Sequence, residues 1–167
     1  MSLNDLQLPR FLYVSLFKNN LVDLRPEIFM ETPAENTHID FLGGNEKKIA
    51  FIASDAENKF LGDDQMKFVN DLLSACNLSM ADIAFINLYN KNIHYTDLVS
   101  KFSSQKILIF GITAQELDLP FTIPFFQVQA FHGQTFLICP SLDTIRQEKD
   151  LKKQLWLSLK QIFNLQK

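Results

Sequence analysis

Three short apolar runs, Lys48–Ala53, Ile83–Leu88 and Lys106–Gly111, most constrain how this chain can fold. Each is nearly continuous in hydrophobic residues and does not alternate with polar ones. That pattern belongs to strands buried on both faces, which occur in parallel sheets covered by helices. The intervening segments carry the complementary signal. Asp63-Asp64 open a stretch in which Met66, Val69, Leu73 and Cys76 recur at helical spacing, and the two acids suit the positive end of a helix dipole. Thr96 stands where it would cap a short helix containing Leu98, Val99 and Phe102. Thr113-Ala114-Gln115 starts a brief helical turn after the third run.

Beyond residue 120 the pattern changes. Pro124–Phe131 and Gln134–Cys139 flank His132-Gly133, a two-residue link compatible with a hairpin. The last segment is strongly amphipathic, with Leu151, Leu155, Leu159 and Ile162 on one stripe and Trp156 and Phe163 beside it. The alternation of strands and helices predicts a three-layer α/β/α domain around a mainly parallel sheet of about four strands. Sixteen Phe in 167 residues supply ample apolar surface for such a core.

Residues 1–45 read differently, as an N-terminal helical arm and linker ahead of an α/β domain spanning 46–167. The spacing predicts a helix from Leu8 to Leu24, with Leu12, Leu16, Phe17, Leu21 and Leu24 on its apolar side. Arg25-Pro26 ends it, because the residue before proline avoids the helical region. The arm either packs on the domain or binds a partner through Leu12, Leu16, Phe17, Leu21, Leu24 and Arg25.

Several function classes are disfavoured. The net charge of −3 and the scattered basic residues offer no stripe for gripping a nucleic-acid backbone, so DNA binding is possible but not strongly implied. Cys76 and Cys139 are far apart and in no C-x-x-C pair, so no metal and no cofactor is expected. No signal-like or membrane-length apolar run occurs, so the expected location is cytoplasmic, away from membranes.

In a parallel sheet, ligands bind at the carboxyl ends of the strands. Ser54-Asp55-Ala56, Asn87, Gly111 and Cys139-Pro140-Ser141 occupy those ends. Read locally, Asp55 caps a loop, Asn87 satisfies backbone groups and Cys139 is packing. The three histidines, His38, His94 and His132, fall in expected loops.

The same residues carry a resemblance. Cys139-Pro140-Ser141, then Arg146, Asp150-Leu151-Lys152-Lys153, Trp156 and Leu159-Lys160, resembles the closing segment of the small microbial uracil-DNA glycosylases. Ile107 through Gln115 resembles their apolar strand ending in glycine. Ile49–Asp55 with Gly62 and Leu72-Leu73 is similar to their first strand and helix, and Ile83–Asn87 to their second strand. The resemblance covers residues 47–163 and implies an acid at Asp55 and a base-reading amide at Asn87. Phe60, Tyr89 and Ser141 would then line the base pocket. It departs from the family at Cys139, where a histidine would donate a hydrogen bond to the leaving base. A thiol is a weak donor, and losing one such donor costs roughly 10²–10³ in rate. The water-positioning loop is also replaced by Asp55-Ala56-Glu57-Asn58.

A second resemblance is to the psi subunit family of bacterial DNA polymerase III, a pared-down relative of that fold. Leu21-Val22-Asp23-Leu24-Arg25-Pro26 is similar to its leading segment, and Pro140-Ser141-Leu142 with Leu155-Trp156 to its C-terminal one. This resemblance implies a non-catalytic interaction subunit of the replication machinery, with the clamp loader and single-strand-binding protein as partners. The alternative is a divergent uracil-DNA glycosylase, a repair enzyme acting on a flipped base with Asp55 and Cys139 at its centre.

Overall fold

The computed structural model describes residues 39–91 and 93–165. The expected helix at Leu8–Leu24, all six partner-binding candidates on the arm, and His38 lie outside the described residues. Residues Ile39–Lys167 make up one compact unit.

The three apolar runs form strands β1 (Ile49–Ala53), β2 (Ile83–Asn87) and β3 (Lys106–Phe110). Two more, β4 (Val128–Phe131) and β5 (Gln134–Cys139), complete a sheet ordered β2-β1-β3-β5-β4. The first four in that order are parallel, with Ile49 opposite both Ile83 and Lys106, and Phe110 opposite Cys139. β4 runs antiparallel to β5 at the edge. Five strands therefore form where about four are expected.

Helices α1 (Asp63–Ala75), α2 (Tyr95–Phe102), α3 (Leu142–Gln147) and α4 (Lys149–Phe163), with short 3-10 turns at Met80–Asp82 and Gln115–Leu117, complete the regular structure of the described residues. β1, β2, β3 and most of β5 are buried on both sides, which explains their unbroken apolar character, whereas the edge strand β4 is partly exposed. On one face Phe51, Phe85, Phe110 and Leu137 meet Val69 and Leu73 of α1, Ile145 of α3, and Leu155 and Leu159 of α4. On the other, Ile52, Ile86, Ile109 and Phe136 meet Leu98 and Phe102 of α2, together with Leu117 from a short 3-10 turn and Ile112 and Ile123 from irregular chain.

Several boundaries differ from expectation, each for a local reason. Lys48 adopts a left-handed φ of 55° and stays outside β1. α2 begins before Thr96, because the Asp97 carboxylate accepts from the His94 N–H at 3.2 Å and makes His94 the cap. The stretch expected as strand from Pro124 turns instead. Gln127 N–H donates to the Pro124 carbonyl at 3.2 Å and Phe126 has φ 64°, so β4 starts only at Val128. α1 ends in a Schellman motif: Asn77 is left-handed, its N–H donates to Ser74 and the Leu78 N–H donates to Leu73. Cys76 caps the helix end and is buried.

Residues 42–47 lie along β2. Leu42 and Phe85 exchange two main-chain bonds of 2.8 and 2.7 Å, and Asn45 N–H donates to Ile83 at 2.9 Å. Among the described residues no helix is long and apolar enough to cross a membrane.

Candidate functional site at the strand ends

β1 and β2 are adjacent and parallel, and their register brings Asn87 level with Ala53. The loops leaving both strands therefore meet. Asn87 is buried and holds them together. Its Nδ2 donates to the carbonyls of Asp55 (2.9 Å), Asn58 (2.8 Å) and Lys59 (3.2 Å). Its Oδ1 accepts from the N–H of Asp55 and of Tyr89, both at 3.0 Å. Two N–H donors serve three carbonyls and two lone pairs serve two amides, so the side chain's hydrogen-bonding capacity is spent within the chain. The partners also fix which end of the amide is oxygen.

The Asp55 side chain folds back on its own loop. Oδ1 accepts from the N–H of Glu57 (2.8 Å) and Asn58 (3.2 Å), and Oδ2 accepts from Asn58 Nδ2 at 3.1 Å. Burial pushes the carboxyl pKa up, but these hydrogen bonds, with a contribution from the Gly62 amide, outweigh it and hold the group below its usual range. An aspartate that accepts from amides two and three residues on is an Asx turn, built from sequence neighbours.

Cys139 ends β5 fully buried, among the side chains that pack under α1, α3 and α4. Burial alone pushes its thiol pKa up to about 12, so the group is neutral and enclosed. Ser141 caps α3: its Oγ accepts from the Thr144 N–H at 3.2 Å and lies 2.8 Å from Thr144 Oγ1. It also lies close to Gly111, where a φ of 70° disfavours any side chain and a Cβ would stand a tight 3.1 Å from the Ser141 Cβ. Phe60 is half-buried with the Lys59 ammonium 5.4 Å from its ring centre, and Tyr89 is 44% exposed.

Two open hollows flank the strand ends, and Ser54 belongs to both. One, of about 540 Å³, has an apolar floor that includes Leu88 and Ile112, with Lys91, Glu116 and Asp118 at its rim. The other, of about 570 Å³, is bordered by Asp55, Asp63, Asp64, Asp143 and Arg146. Asn87, Cys139, Ser141, Phe60 and Tyr89 line neither. The structure thus joins Asp55, Asn87 and Tyr89 through hydrogen bonds, but does not gather the sequence candidates around one cavity.

Other side chains do border the hollows. Arg146 pairs with Asp64 at 3.1 Å, and Gln65 donates to Asp143 at 2.7 Å, tying the start of α1 to α3 across 78 residues. Nothing in local spacing announces those contacts. Glu116 had a legible signal, since Thr113-Ala114-Gln115-Glu116 is a capping-box pattern. Its carboxylate accepts from the Thr113 N–H and hydroxyl, both at 2.7 Å, and these bonds hold its pKa low against the opposing effect of burial. His94 Nδ1 pairs with Asp118 beside it.

No family model matches this chain, and no curated protein sequence matches it.

Proposed function

We propose that this chain is a non-catalytic protein-interaction subunit of the replication machinery, of the kind its sequence resembles in the psi subunits of DNA polymerase III. One observation carries the non-catalytic half: every hydrogen-bonding position of the Asn87 amide is taken by the chain's own backbone. A base reader would need donors and acceptors left open toward a pocket. The buried neutral Cys139 and the carboxylate-rich second hollow point the same way, because acids at the rim repel a phosphate backbone. The replication setting rests on the segments Leu21–Pro26, Pro140–Leu142 and Leu155-Trp156, and its implied partners are the clamp loader and single-strand-binding protein.

Two measurements on the full chain test this reading. Calorimetric titration against the purified clamp loader is expected to show a complex, weakened severalfold or more by Leu16→Glu with Phe17→Glu. Uracil excision from single- and double-stranded oligonucleotides is expected to be absent. Uracil release by the wild type that Asp55→Asn abolishes would overturn the reading in favour of a divergent glycosylase. Absence of any clamp-loader complex would remove its replication half.

A further inference from the structure

The two edges of the sheet are treated differently by the fold. The outer side of β2 is covered by residues 42–47, which make main-chain bonds to Phe85, Ile83, Ala81 and Asp82. At the opposite edge, no described segment pairs with the outer side of β4. The hairpin register says which of its groups face outward. Phe131 and Gln134 close a two-residue turn and exchange both main-chain bonds, so Gln129 and Phe136 form the next bonded pair. Val128 and Ala130 therefore direct their N–H and C=O groups away from β5. The Ala130 carbonyl already accepts from the Gln129 side chain at 3.1 Å, a local substitute for a strand partner.

Bare edges are normally guarded by lysine, proline, a bulge or an inward charge. β4 has no lysine or proline. From Leu119 to Leu142 the chain contains no Asp, Glu, Lys or Arg at all, although its net charge is −3. Two copies with a net charge of −3 each repel overall, and this tract adds no charge of its own to that repulsion. A strand that meets its own copy about a twofold axis must be self-complementary, and Val128-Gln129-Ala130 satisfies that condition. With Gln129 on the axis, Val128 of one copy faces Ala130 of the other, and the two exchange both outward main-chain bonds. Gln129 then stands opposite itself as a neutral pair able to donate and accept.

We propose that the β4 edge is a homodimer interface, in which two copies pair antiparallel about Gln129 and join their sheets into one. This assignment is independent of the replication reading above and would hold for a chain with any partner.

The test is light scattering of the full chain after gel filtration, over a dilution series, for the wild type and three variants. The wild type is expected to be a dimer that dissociates on dilution. Gln129→Lys and Gln129→Glu each place like charges directly opposite one another and are expected to weaken association severalfold or more. An equimolar mixture of those two chains is expected to recover the dimer, which a folding defect could not do. Ala130→Pro removes an outward N–H while leaving the bonds to β5 intact, and is expected to be monomeric with an unchanged circular dichroism spectrum. A wild type that is monomeric throughout overturns the proposal. So does a dimer that persists in both Gln129→Lys and Ala130→Pro.

Discussion

Asn87 shows how much work one short polar side chain can do inside a parallel sheet. It sits at the end of a strand whose other residues are wholly apolar, and its five bonds reach residues 55, 58, 59 and 89. Each buried group left without a partner costs about 1–3 kcal/mol. Asn87→Ala is accordingly expected to lower stability by about 2–4 kcal/mol, read as a shift in the urea midpoint. Asn87→Asp should cost more, because it would set a carboxylate oxygen against three carbonyls. A midpoint unchanged by Asn87→Ala would mean that the two loops are held together some other way. Asp55 works on a smaller scale, organising the turn at residues 55–58 chiefly through bonds from Glu57 and Asn58.

At the level of elements, the segment covering β2 depends on a glycine. Gly43 has φ 110°, and a Cβ there would lie 2.3 Å from the Ile83 carbonyl oxygen and 2.5 Å from that of Met80. Both obstacles are backbone and cannot rotate away. Gly133, in the β4–β5 turn, also has positive φ (82°) but faces open space. The two positions separate conformational strain from collision. Gly133→Ala is expected to cost about 1–2 kcal/mol, from φ alone. Gly43→Ala should cost clearly more and should expose the Phe85 and Asn45 amides to hydrogen exchange. Equal destabilisation at the two sites would show that residues 42–47 can shift off β2 without loss. The helices depend on more ordinary signals: α1 and α4 carry their buried residues at the spacing their sequences display. α2 starts before its threonine, because Asp97 reaches back to His94.

At the scale of the whole molecule, both cysteines are buried in the one packing layer between the sheet and helices α1, α3 and α4. Burial raises the Cys76 thiol from 9.0 to about 11 and the Cys139 thiol from 9.0 to about 12. The folded state therefore holds these protons to higher pH than the unfolded chain does. Their contribution to stability is complete below the unfolded value near 9 and is lost as pH rises through about 11 and then about 12. Urea unfolding followed upward from neutral pH should show stability falling on the alkaline side, with a shallower fall in Cys139→Ala. A thiol reagent should label Cys139 only as fast as the protein opens. Rapid labelling at neutral pH would contradict its burial. The same layering leaves β4 as the open margin of the sheet among the described residues, and that margin coincides with the uncharged tract from Leu119 to Leu142.

The sequence by itself determined the elements and the class of fold. Apolar runs such as Ile83–Asn87 suit a strand covered on both faces, and the stripe through Leu155, Leu159 and Ile162 suits a helix with one side against a core. Those patterns are local, a short unbroken apolar run or a stripe repeating every three to four residues, so they survive in a one-dimensional reading. The hairpin link His132-Gly133 was legible for the same reason, whereas the turn at Pro124–Gln127 was hidden by its own hydrophobic residues. The site was legible only as a set of positions. Asp55, Asn87, Cys139 and Ser141 do stand at strand ends, but their chemistry depends on which atoms lie within about 3 Å, and that is decided by chain segments far apart in sequence. Tertiary structure alone turned the Asn87 amide onto backbone 28 to 32 residues away, placed Arg146 against Asp64, and enclosed Cys139 beneath the helices. Hydrogen-bond saturation and burial are properties of three-dimensional neighbourhoods, and no periodicity in the chain encodes them.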